Sequence, residues 1–168
     1  AQAIFQPLEA YRNFVDRYSC PSSPEEASWS DNLHLNDGST LRLHGLNSAI
    51  ISNGDDDNKQ NRLIVNKGQL TQLKTEDGVE HVVLCHHPPD WLRSKDAIES
   101  KLKERVRVQL FGHKHAMCLD EFDRKSIRII AGAMHPDRAE SDWKPRYNAV
   151  TFYVQTDGDG SRKLLVRV

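Results

Sequence analysis

Two short apolar runs constrain this chain most, because each of them ends in histidines. Val82-Val83-Leu84-Cys85 leads into His86-His87-Pro88-Pro89, and Val106-Arg107-Val108-Gln109-Leu110-Phe111 leads into Gly112-His113-Lys114-His115. A short, nearly continuous apolar run bounded by turn residues reads as a strand buried on both faces. Between the two runs, Ser94 stands where it can cap a helix in which Ile98 and Leu102 face the core and Glu99 and Lys103 form an i,i+4 pair. Strand, helix, strand is the crossover unit of a parallel sheet, and it brings both histidine motifs to the same carboxyl edge. Imidazoles delivered together on rigid supports are what a transition-metal site requires. Pro88 after His87 disfavours helical backbone there, which keeps the imidazoles at the sheet edge.

The remaining pattern is rich in strands. Leu8, Tyr11, Val15 and Tyr18 recur at helical spacing and predict an amphipathic helix over residues 7–18, with Pro7 in its first turn. Residues 19–32, with Pro21, Pro24 and several serines, read as a loop. Leu33 and Leu35, then Asn36-Asp37-Gly38, then Leu41 and Leu43 form a hairpin signal, and its pairing carries the chain through Asn47 to Ile51. Residues 52–61 are polar. Their Asp55-Asp56-Asp57 run reads as a solvated loop, since Lys59 sits where a calcium loop needs an oxygen ligand. A short helix near residues 68–73 precedes the first histidine-bearing strand. Further strands are expected at 127–131, 147–154 and 164–168, the last two joined by Asp157-Gly158-Asp159-Gly160. One half of a two-sheet α/β sandwich is the natural architecture.

Composition narrows the partners. A length of 168 residues suits one domain, and a hydrophobic content of 38% with mean hydropathy of -0.66 suits one whose face is buried against a further segment. The net charge of -1 gives no global case for nucleic acid or an anionic membrane. No apolar run approaches the ~20 residues that span a bilayer and no signal peptide is visible, so the expectation is a cytoplasmic protein without a membrane partner. Cys20, Cys85 and Cys118 are an odd count without framework spacing and are expected to be reduced thiols, Cys85 as a core residue.

The strand followed by His-His-Pro-Pro, and the later strand followed by Gly-His-x-His, resemble the last two metal-binding motifs of the calcineurin-like metallophosphoesterases. Leu46-Asn47-Ser48-Ala49 and the strand end Ala131-Gly132-Ala133 add to a likeness that spans residues 41–168. The family's opening Asp-x-His and its Gly-Asn-His-Asp/Glu segment do not occur here. The resemblance therefore implies that residues 1–168 are the C-terminal portion of a single metallophosphoesterase domain, the C-terminal half of a two-sheet α/β/β/α sandwich. Its partners would be the N-terminal half of the same domain and a phosphate-ester substrate. The implied activity is metal-dependent hydrolysis of a phosphate mono- or diester. The implied cofactors are two divalent transition-metal ions (manganese, iron, zinc or nickel) in the complete domain, and at most one in this chain alone.

By the family's pattern His86 and His113 share one metal, His115 reaches the other, and His87 is a supporting neighbour. The carboxylate ligands and the leaving-group acid would lie outside this chain, which alone is expected to be inactive. Two rival readings use the same residues. A non-catalytic scaffold or protein-binding module has no need to keep three ligands, and a nuclease would need a basic channel that this near-neutral chain lacks.

Other candidates carry paired readings. Asn47 is a candidate beside the site. Trp91 could pack a substrate ring or simply join the core. His135 could face the site from the rim or belong to a plain turn with Pro136. Arg138, Lys144 and Arg146 could grip phosphate, or form a solvated basic loop balanced by Asp137, Glu140 and Asp142. Lys114 is expected to be solvated, and His34, His44 and His81 to be ordinary strand histidines without a partner.

Overall fold

The expected hairpin opens a mixed sheet. In the computed structural model, which describes residues 6–17, 28–53, 62–123, 125–134 and 145–168, a helix α1 (Glu9–Asp16) precedes β1 (Trp29–His34) and β2 (Thr40–Leu46). The two strands run antiparallel, with His34 opposite Thr40. Gly38 closes their turn at a φ of 83°, a conformation glycine adopts without a Cβ clash. Then come α2 (Lys67–Thr71), β3 (Val79–Cys85), α3 (Lys95–Arg105), β4 (Val108–Phe111), β5 (Cys118–Phe122) and β6 (Ser126–Ile130). The six strands order as β1-β2-β3-β4-β6-β5. The four central strands are mutually parallel and both edge strands antiparallel. A separate hairpin, β7 (Thr151–Thr156) with β8 (Arg162–Arg167), forms a second, two-stranded sheet.

Apolar side chains cover both faces of the large sheet, which is why its central strands read as nearly continuous hydrophobic runs. Val83, Cys85, Phe111 and Ile130 pack with Leu73, Ile98 and Leu102 from the helical side. Leu41, Val82, Val108 and Ile129 form the opposite core, against Phe152, Leu164 and Val166 of the hairpin. Polar bonds fasten the hairpin as well. The Asn36 amide donates to Val154 O at 2.8 Å and accepts from Val154 N at 2.7 Å. Arg162 Nε donates to Asp37 at 2.7 Å, and Arg162 Nη1 to Glu80 at 3.2 Å.

Several expectations need correction. The predicted loop over 19–32 gives way to strand at Trp29, because β1 is an exposed edge strand whose side chains need no alternation. β2 stops at Leu46 rather than continuing to Ile51. Ser94 precedes α3 with a φ of 57° and makes no side-chain cap. The chain before it is held extended by the bridge between Leu63 and Leu92, with Arg93 N bonded to Leu63 O at 2.8 Å, so the turn into the helix falls on one left-handed residue. The rest of that helix agrees: Ile98 and Leu102 are buried, and Lys103 Nζ lies 3.7 Å from Glu99. β5 was not expected at all. His44 and His81 are not solitary either, since His44 Nε2 and His81 Nδ1 are 2.9 Å apart and both rings are buried. Tyr18, Cys20 and the Asp55–Asp57 run lie outside the described residues. Cys85 is a buried free thiol, its pKa raised by burial, and Cys118 is an exposed free thiol. No described helix is long and apolar enough to cross a membrane.

Candidate metal centre

Register brings the two histidine motifs together. Cys85 pairs with Phe111 across β3 and β4, so the residues that follow both strands emerge side by side. Gly112 N donates to His86 O at 3.0 Å and extends the pairing one residue past the strand ends. A Cβ on Gly112 would lie 3.2 Å from His86 Nδ1, so glycine is what lets the imidazole settle against this backbone. His86 Nε2 then stands 3.2 Å from His113 Nδ1. His87 joins them: one ligand atom from each of His86, His87 and His113 lies within 4.8 Å of the others. Burial holds the exposed-side His86 imidazole below the usual histidine range, with His113 and His115 adding to the effect. A depressed pKa keeps this nitrogen neutral, the state in which it can act as a ligand.

A third strand orients His87. The Ser48 hydroxyl, just beyond β2, lies 2.9 Å from His87 Nδ1, and both residues are buried. Ser48 is itself set by its neighbour: Asn47 N donates to Gln69 Oε1 at 2.8 Å, and Gln69 Nε2 donates to Asn47 O at 3.1 Å. The Asn47 side chain accepts from Ala49 N at 2.8 Å and so shapes the turn. Ser48 thus engages Nδ1 of His87, and an outer hydrogen bond of this kind is usual for a metal-binding histidine. Trp91 closes the wall. It is buried, its ring meets His113 edge-on at 4.3 Å between centroids and lies roughly parallel to His87 at 6.0 Å.

Backbone conformation at the second motif is unusual. His113 and His115 have φ of 68° and 54°. Lys114 N donates to Gly112 O at 2.8 Å and Ala116 N to Lys114 O at 2.6 Å, so each histidine centres a three-residue turn. These are the rare positive-φ form of the γ-turn. Such residues cost on the order of 1–3 kcal/mol each and gather at functional sites. Lys114 is exposed, as expected, and its Nζ also pairs with Asp90 Oδ2 at 2.6 Å, because the turn at the end of His-His-Pro-Pro brings that carboxylate across to it.

The donor set fits a metal. Two nitrogens bound to one tetrahedral ion at about 2.0–2.1 Å stand about 3.3 Å apart, close to the separation of His86 and His113. A set of imidazoles suits zinc, copper, iron or nickel. Of the residues expected at the site, His86 and His113 meet, with His87 as third member, while His115 is exposed and outside that group. Trp91 and Asn47 adjoin the site. Arg146 is held beside the end of β6, its N–H bonded to Ala133 O at 2.9 Å. His135, Arg138 and Lys144 lie outside the described residues. Ser48 and Asp90 were not singled out by sequence reasoning. For Ser48 the available signal was its place just after a strand parallel to the one bearing His87. Compared with models of protein families and with curated proteins, the chain matches none.

Proposed function

We propose that this chain is the metal-holding C-terminal portion of an α/β phosphoesterase domain, a two-sheet α/β/β/α sandwich that hydrolyses phosphate mono- or diesters. The observation that carries the reading is the convergence of His86, His87 and His113 at the carboxyl edge of β3 and β4. Divalent ions bound there supply Lewis acidity at the phosphoryl group. His86 and His113 hold the ion from two adjacent strands, and His87, oriented by Ser48, completes a set of three imidazoles. His115, exposed beside them, serves a second ion whose carboxylate ligands come from the N-terminal half of the domain. Trp91 walls the imidazoles from water on one side. Arg146, bonded through its main chain beside the end of β6, is the arginine of this site whose side chain suits a phosphoryl group. With 23 basic against 24 acidic side chains, a small phosphate ester suits this protein better than a polynucleotide.

The test is a zinc and manganese titration of the 168-residue chain, read by competition with a chelating dye, together with bis-p-nitrophenyl phosphate hydrolysis by the domain completed with its N-terminal half. The expected result is one ion per chain, lost in His86→Ala and His113→Ala, and metal-dependent turnover only in the completed domain. A wild-type chain that takes up no ion, or a completed domain that binds metal without hydrolysing any phosphate ester, would overturn the reading.

A further inference from the structure

The strained loop has a second tie. At its base, Gly112 N bonds to His86 O at 3.0 Å; at its tip, Lys114 Nζ bonds to Asp90 Oδ2 at 2.6 Å. Asp90 belongs to the single 3-10 turn Pro89–Trp91 that follows the first histidine motif, so this ion pair joins the two histidine-bearing segments directly. The positive φ of His113 and of His115, on either side of Lys114, is a conformation that persists only where its surroundings over-determine it. The turn bonds within the loop fix its shape but not its place against the neighbouring segment.

We propose that Lys114 and Asp90 are positioning residues: their ion pair clamps the Gly112–Ala116 loop onto the Pro89–Trp91 turn and holds the His113 imidazole at its approach to His86 and against the edge of Trp91. The consequence for ion binding rests on the metal reading above, whereas the clamp is a property of the metal-free chain. Both side chains are about one-third exposed, so the pair adds little to global stability and acts through register.

The experiment compares the wild-type chain with Lys114→Met, Asp90→Asn, the double variant and Lys114→Arg. Two readouts are taken on each sample: the His113 ring-proton resonance without metal, assigned by its loss in His113→Gln, and the zinc dissociation constant. Contact with the Trp91 ring displaces the His113 resonance from its position in an unstructured peptide. Both single variants are expected to move it toward that position and to raise the zinc dissociation constant about 10-fold, the scale typical of outer partners of metal ligands. The double variant should be no worse than either single one, Lys114→Arg should restore both readouts, and 1 M salt should mimic the loss in the wild type, since the pair is open to screening. An unmoved His113 resonance in Lys114→Met overturns the clamp whatever zinc does. A moved resonance in a chain that binds no zinc upholds the clamp and sinks the metal reading instead.

Discussion

Ser48 and His87 come from different strands and meet at the sheet edge, with the hydroxyl 2.9 Å from Nδ1. The contact is buried, so neither partner can exchange it for water. Ser48→Ala is expected to weaken zinc binding about 10-fold while leaving the far-ultraviolet spectrum unchanged. A chelator competition assay measures it, and an unchanged affinity would mean that the hydroxyl does not orient a ligand.

The three converging imidazoles should act as a unit. His86→Ala, His87→Ala and His113→Ala are each expected to lower activity of the completed domain at least ~100-fold, and pairs of them little further. His115→Ala should leave the first ion bound and impair only steps that need a second. Metal analysis beside turnover separates the two cases. Full activity in His87→Ala would show that the residue is neither a ligand nor the supporting neighbour that the motif suggested.

Gly112 offers a purely steric probe. Its added methyl would lie 3.2 Å from His86 Nδ1, tighter than ordinary contact, so Gly112→Ala should tilt the ring and reduce zinc affinity with little loss of stability. Denaturant titration and metal titration of the same variant check both halves of the statement.

The pair of His44 and His81 makes stability depend on pH. His81 Nε2 lies 2.7 Å from Lys74 O, which can only accept, so His81 donates there and its Nδ1 accepts from His44 Nε2. His44 Nδ1 is left as a buried nitrogen without a hydrogen bond. Burial, and then charge on His81, push the His44 pKa down from 6.5 to about 4. Between those values the unfolded chain binds a proton that the folded chain refuses. This contribution is therefore complete above pH 6.5 and lost as pH falls toward 4, to an extent on the order of 3 kcal/mol. His44→Gln should flatten the fall when urea denaturation is compared at pH 7 and pH 5. An equally steep fall in that variant would place the titration elsewhere.

Much of this was readable from local pattern, and the remainder depended on distant neighbours. β3, β4 and β6 stand out because covered sheets need apolar side chains on both faces, as Val82 with Val83 shows. Trp29–Asn32 and Cys118–Phe122 are edge segments that are mostly exposed, and their polar composition looks like loop. His86 and His113 were legible from their motifs. The approach of His87 to them was not, because its ring is set by Ser48, 39 positions earlier in sequence, and by a turn held by Gln69. The pairing of Lys114 with Asp90 and that of His44 with His81 follow likewise from strand neighbours that only the sheet order defines.

Asn36 and Val154 are 118 residues apart, yet one side-chain amide saturates both main-chain groups of its partner. The turn made early in the chain is thus the dock for the hairpin made late. During synthesis the six-stranded sheet must wait, with Leu41, Val82, Val108 and Ile129 uncovered, until residues 151–167 have left the ribosome. Long-range closure of this kind slows folding and prolongs exposure of an apolar face until the covering hairpin arrives.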